Sequence, residues 1–168
     1  IKKINKDLDD HTNKLLTNTV LTFSDLKTNR MTDYKFDLDK FTNISGKTGI
    51  YVQYALVRAK KLIKNSSIDT SSINLNFSDF DESDLNLVRC LIKFEYFFNL
   101  ALENNEPHHL ADYLYELSNL FNSMYQNVNI LENKSETLKL NKLKISEYFI
   151  SYSSLLMECL GLEPAEKM

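Results

Sequence analysis

Apolar residues recur along this chain at intervals of three and four, and short polar breaks separate the periodic stretches. Leu15, Leu16, Val20 and Phe23 share one face of a helix predicted from about Asp9 to Phe23. Lys27 to Lys40 alternates charges with the aromatics Tyr34 and Phe36, and reads as a connection into a short helical turn near Asp37–Asn43. After the break Ser45-Gly46-Lys47-Thr48-Gly49, a helix is predicted from Ile50 to Asn65, with Val52, Ala55, Leu56, Ala59, Leu62 and Ile63 on its core face. The Ser/Thr/Asn-rich run from Asn65 to Phe80 reads as a loop and as the most flexible point of the chain.

Asp81, followed by Glu82 and Asp84, suits a helix N-terminus, where carboxylates meet unpaired backbone N–H groups. One helix is expected from there to about Leu102, burying Leu87, Leu91, Phe94, Phe98 and Ala101. Pro107 fits the first position of the next helix, which runs to Asn127 with Leu110, Leu114, Leu117, Phe121 and Met124 inward. Asn133 and Glu136 form an expected capping pair for a last helix reaching Leu160, and Gly161 is placed to end it. The fold class is therefore all-α: an antiparallel helical bundle of about five helices.

Composition agrees. Only 3 Gly and 2 Pro occur, too few for turn-rich β folds or Gly-rich nucleotide-binding folds. The 168 residues make one domain, and 43% hydrophobic with 26% charged residues excludes global disorder. No apolar run reaches the ~18 residues of a membrane span, and no targeting segment is expected. The first residue is Ile1, which marks the chain as an expected fragment of a longer protein. Cys90 and Cys159 sit in apolar helical stretches and are expected to be reduced core thiols.

The net charge of −3 does not point to nucleic acid, but its distribution changes the picture. Residues 47–64 carry Lys47, Arg58, Lys60, Lys61 and Lys64 and no acid, whereas residues 69–84 carry five acids and no base. Gly46-Lys47-Thr48 resembles the tail of a phosphate-binding loop, but Phe41 stands where the earlier glycine belongs and no strand precedes it. It is expected to be a helix–helix turn. His108 and His109 point about 100° apart on a helix, so no chelating pair and no metal site are expected. Tyr51, Tyr54, Arg58 and Lys61 gather on a face of the 50–65 helix separate from its core. Two readings fit: rings on which unpaired bases stack beside phosphate-binding cations, or tyrosines sealing the core rim beside a solvated basic edge.

A longer pattern bears on that choice. Asp25-Leu26-Lys27, Arg30, Phe36-Asp37-Leu38-Asp39, Gly46-Lys47-Thr48-Gly49, Tyr51-Val52-Gln53-Tyr54-Ala55 and Arg58 resemble the FDxD and GxTGxYLQYAHxR motifs of the C-terminal region of arginyl-tRNA synthetases. Pro107-His108, Tyr113-Leu114, Leu117, Phe121 and Tyr125 are similar to that family's PHxxxxYLxxLxxxFxxxY helix. The closing run from Leu160 to Met168 is similar to its LGIxxPERM end. Leu56 replaces the usual His, Lys142 and Lys167 replace Arg, and Asn129 replaces an aromatic found in some members.

The resemblance implies an anticodon-binding domain of the DALR type over residues 25–168, with residues 1–24 forming a helix that leads in from a catalytic domain. Neither class I signature, HIGH or KMSKS, is present, so the chain alone is expected to be inactive. The parent would be a cytoplasmic, monomeric ligase that uses ATP and magnesium to join arginine to its tRNA; the fragment itself needs no cofactor. Carried over position by position, the resemblance nominates Tyr51, Tyr54, Arg58, Tyr125 and Met168 as tRNA contacts, and the basic face adds Lys61. The expected partners are the anticodon loop of the arginine tRNA and the catalytic domain. A helical protein-interaction bundle using the Tyr51/Tyr54/Arg58 face is the competing reading.

Overall fold

The computed structural model describes residues 8–35 and 37–168, and seven α-helices carry the chain through them. They are α1 (Asp10–Leu26), the four-residue α2 (Leu38–Phe41), α3 (Gly49–Ser66), α4 (Glu82–Leu91), α5 (Phe94–Asn104), α6 (His108–Asn127) and α7 (Glu136–Cys159). No strand occurs among the described residues. The expected leading segment 1–24 falls partly outside them, at residues 1–7, as does Phe36 of the Phe36–Asp39 motif. Position 24 lies inside α1, which continues to Leu26. Among the described residues no helix is long and apolar enough to cross a membrane.

Side-chain caps explain most of the helix starts. The Asp9 carboxylate accepts from the Thr12 N–H at 2.8 Å, and the Thr48 hydroxyl accepts from the Tyr51 N–H at 3.2 Å. Asp81 and Asp84 form a reciprocal capping box on α4. The cap of α7 is Ser135, not the expected Asn133, whose side chain instead accepts from the Ser135 N–H at 2.9 Å. Gly161, at φ +69°, ends α7 with the paired bonds Gly161 N–H to Glu158 O and Leu162 N–H to Met157 O.

The single helix expected over 81–102 is two helices, broken at Ile92 and Lys93 without glycine or proline. Tyr113 is the cause. Its buried hydroxyl lies 2.8 Å from the carbonyl of Cys90 and 3.2 Å from that of Leu91, the acceptors the helical ladder would use next. The 65–80 run is also more ordered than its composition suggests. It folds into 3-10 turns at Thr70–Ser72 and Phe77–Asp79, and the Asn141 side chain both accepts from the Asn76 N–H and donates to the Asn76 carbonyl, each at 2.9 Å. Of the two cysteines only Cys90 is a core thiol, pushed up to about 12 by burial; Cys159 is exposed, contrary to expectation.

Helix α3 is central. Val52, Ala55, Leu56 and Ala59 join the main core with Leu114, Leu117, Phe121 and Phe149, whose Phe121 and Phe149 rings stack at 4.4 Å. On its other side Ile50 and Val57 pack with Leu15, Leu16 and Val20 of α1 and with Ala165. Leu56, one of the departures from the family pattern, is thus a fully buried core residue. Helices α3 and α6 advance side by side in the same direction: Tyr51 meets Tyr115, and Arg58 meets Asn122. Their C-terminal halves therefore share one end of the bundle. Lys142, another departure, is wholly buried and bonded to Asp81 at 2.7 Å and Asp84 at 2.6 Å, so it tethers α7 to the start of α4.

Two predictions follow from this packing. A Cβ at Gly49 would lie 2.7 Å from the Thr19 carbonyl oxygen, a backbone atom that cannot yield without separating α1 from α3. Gly49→Ala is expected to lower the unfolding free energy by about 1–3 kcal/mol in urea titrations; an unchanged midpoint would contradict the close approach. The second concerns acid. Partial burial pushes the Asp81 carboxyl up, but hydrogen bonds from Lys142, Ser83 and the Asp84 N–H outweigh it and hold the group at about 2, below its ordinary 3.8. A lowered acid contributes stability that is present above pH 3.8 and is lost as the pH falls through about 2. Asp84 is pushed the other way by burial, which Lys142 only partly offsets, so it does not add to that acid limb. Asp81→Asn keeps a competent cap. The stability gap between wild type and this variant is therefore expected to close as the pH is lowered across that window, and a pH-independent gap would refute the assignment.

Candidate nucleic-acid interface

Wound at 100° per residue, α3 presents three stripes. One is the core face. A second, Ile50, Gln53, Val57 and Lys60, turns toward α1 and the segment that follows α7. The third carries Tyr51, Tyr54, Arg58 and Lys61. Near the end that α3 shares with α6, this third stripe borders a cavity of about 230 Å³ lined by Tyr54, Val57, Arg58, Lys61, Leu62, Asn65, Tyr125, Leu131 and Met168. Five of the six residues nominated from sequence thus meet at one recess. The sixth, Tyr51, does not: its ring packs on Tyr115 at 5.4 Å, on the rim of the main core.

Arg58 organises the recess. Its guanidinium carbon lies 4.5 Å from the centre of the Tyr54 ring and 5.0 Å from that of Tyr125, and Nη1 donates to Asn122 Oδ1 at 2.6 Å. Among the described residues no carboxylate pairs with it. A guanidinium offers five N–H donors in a planar fork, so a half-buried arginine holding one acceptor and no counter-ion keeps donors for a ligand. Asn122, itself buried, was not found from sequence, because an asparagine within an amphipathic helix carries no pattern that separates a core tether from a surface residue. A second groove of about 390 Å³ continues from the first, sharing Arg58, Leu62, Tyr125 and Leu131 and extending over Gln126 to Ile130. Asn129 lies on its exposed wall and donates to Glu132 at 2.7 Å.

Met168 reaches the recess because the segment after Gly161 is fastened across the bundle. Leu162 and Ala165 are buried. Gln53, fully buried in α3, donates through Nε2 to the Glu163 carbonyl at 2.8 Å, and its Oε1 accepts from the Ala165 N–H at 2.9 Å. Lys60 bonds the Ala165 carbonyl at 3.1 Å and Glu166 at 2.5 Å. Lys167 pairs with Asp9 at 2.5 Å, and with the Thr12 N–H it holds the Asp9 carboxyl well below the usual carboxylate range.

The basic run of residues 47–64 therefore divides. Lys47 pairs with Asp112, while its carbonyl accepts from Lys27 at 2.6 Å, so Gly46-Lys47-Thr48 is a capped turn with its lysine already engaged. Lys60 is committed to the tail. Arg58, exposed Lys61 and exposed Lys64 remain for an outside partner. The adjacent histidines are closer than helical winding implies. At the first turn of α6 their rings lie 4.1 Å apart, and donor atoms of Glu106, His108 and His109 fall within 4.8 Å of one another. Glu106 is also bonded to His109 at 3.0 Å and accepts from Asn29 at 3.3 Å.

Comparison with known proteins places this helical bundle in a family. The profile of the DALR anticodon binding domain matches residues 52–168, and the chain belongs to that family. The chain is 35% identical over 148 residues to the arginine–tRNA ligase of Buchnera aphidicola subsp. Schizaphis graminum, and 32% identical over 146 residues to that of Serratia proteamaculans. Each match takes in 87% of this chain and 25% of the relative, so the chain spans a quarter of the length of these curated relatives. Among solved structures, the arginyl-tRNA synthetase of Plasmodium falciparum aligns with a TM-score of 0.86 at 29% identity, over 99% of this chain and 30% of that one. The arginyl-tRNA synthetase of Thermus thermophilus, at 24% identity, shares the fold with a TM-score of 0.88 over 99% of this chain and 29% of that one.

Proposed function

We propose that this chain is the anticodon-recognition domain of an arginine–tRNA ligase and that the Tyr54/Arg58/Tyr125/Met168 recess takes one unstacked base of the anticodon. The observation that carries the reading is the convergence of those four side chains, from two helices and a tail, on one cavity of about 230 Å³. That is below the roughly 300–1,000 Å³ of drug-sized ligand sites and is scaled to a single base. Every arginine codon has G in its middle position, so every arginine anticodon has C there, and one pocket serves all of them.

The chemistry fits cytosine. Its N3 and O2 are acceptors, which suits an arginine with donors to spare; uracil places an N–H at N3, which would face those donors. Tyr54 and Tyr125 supply ring faces, and the Met168 thioether packs softly against a base. Lys61, exposed on the cavity wall, and Lys64, exposed about one turn further along α3, are suited to phosphates. Arg58, held within the recess, is suited to the base rather than the backbone.

In the whole protein a catalytic region elsewhere in the polypeptide would use ATP and magnesium to activate arginine. Lys47, the phosphate-loop-like lysine of this chain, is tied to Asp112. The whole ligase is read as a cytoplasmic monomer.

The test is binding of an arginine anticodon stem-loop across a salt series. Wild type is expected to prefer a middle C over a middle U and to weaken steeply with salt, with Lys61→Ala reducing the salt slope by about one. Arg58→Ala is expected to narrow the C/U preference. Tyr54→Ala is expected to cost about 1–3 kcal/mol of binding and Tyr54→Phe less, because stacking needs the ring and not the hydroxyl. Equal affinity for both loops, with a shallow salt slope, would favour a protein-binding face instead.

A further inference from the structure

Gln53 stands out as a fully buried polar side chain in the second turn of α3 whose partners are mostly outside the helix bundle itself. One amide spans three elements. Nε2 donates to the Glu163 carbonyl at 2.8 Å and to the Thr19 hydroxyl of α1 at 3.1 Å, and Oε1 accepts from the Ala165 N–H at 2.9 Å. The Thr19 hydroxyl is itself held by the Leu15 carbonyl at 2.9 Å, which fixes the orientation of the amide. The tail bonds go to backbone atoms on either side of Pro164, so they fix the course of the chain whatever the side chains there. Lys60, two turns further along the same stripe, grips the Ala165 carbonyl and Glu166.

We infer that Gln53 is a positioning residue for base recognition: it latches the tail to α3 and so places Met168 in the recess, without touching the bound base itself. Gln53 is absent from the residues that line the cavity, and Met168 is present. Only Glu166 and Lys167 separate Ala165 from Met168, a reach of at most about 11 Å over three residue steps, so latching Ala165 confines Met168 to the neighbourhood of Val57 and Tyr54. An unlatched tail would pay the ordering cost each time RNA binds, and the recess would lack one wall meanwhile. A buried amide suits this task, since leaving either atom unpaired is costly and the latch closes in one register only. The role in recognition rests on the function proposed above; the latch itself can be read without RNA.

The experiment joins both readouts. In the wild-type chain, native-state hydrogen exchange should show the Ala165 amide protected, although it lies outside any helix; exchange at the free-peptide rate would overturn the latch. Gln53→Leu should leave the bundle folded, with the Met168 methyl resonance moving to its random-coil position as the tail releases. It should weaken anticodon stem-loop binding about fivefold or more, by the same factor as Met168→Ala, and the double variant should be no weaker than either single one. Effects that multiply, or a Met168 resonance unmoved in a folded Gln53→Leu chain, would overturn the inference. Should Gln53→Leu not fold, Lys60→Gln gives the same readout: a partly released tail with an affinity loss that vanishes in the Met168→Ala background. If the latch is seen but wild type does not bind the stem-loop, the proposed function fails while the latch stands.

Discussion

Helix α3 has almost no face to spare, and that constraint shapes the rest of the molecule. One stripe is taken by the main core, a second by α1 and the tail, and only the narrow third meets solvent. Because the first two are fixed by packing, including the glycine contact with Thr19, the helix can neither rotate nor slide without losing one of them. The third stripe is held rigid by default. Tyr54 and Arg58 inherit that rigidity, and α6, running alongside in the same direction, brings Asn122 and Tyr125 to the same end.

Charge follows the same economy. A chain of net charge −3 still presents cations locally because its acids are placed where they serve the fold: Asp112 on Lys47, Glu166 on Lys60, Asp81 and Asp84 on buried Lys142. Of the cations in the 47–64 run, those left over, Arg58, Lys61 and Lys64, stand in the C-terminal half of α3, where positive side chains also offset the negative end of the helix dipole. A nucleic-acid partner approaching this end meets the cations first and the rings behind them, an order suited to steering followed by stacking.

Periodicity made much of this legible. The core faces of α1, α3 and α6 were read correctly because each apolar stripe lies opposite a polar one, and the family motifs then joined Tyr125 and Met168, distant in sequence, to the α3 face. What could not be read depends on contacts between elements. Tyr113 splits α4 from α5 through a hydroxyl twenty residues away, which no local pattern announces. The 65–80 run docks through Asn141. Tyr51 shares the tyrosine stripe but turns to Tyr115, a choice fixed by α6. Gln53 was passed over because a polar residue beside the core face reads as solvent-exposed; the signal that could have found it is its alignment with Ile50, Val57 and Lys60 in a second stripe.

The central claim is that one base enters the recess between Tyr54, Arg58 and Tyr125. It is tested most directly by irradiating the complex with an arginine anticodon stem-loop that carries 5-iodocytidine at the middle position, and mapping the cross-linked peptide. The account predicts cross-links at Tyr54 or Tyr125, lost when the photoreactive base is moved to the stem. Cross-links confined to Tyr51, to α5 or to the 65–80 run would contradict it.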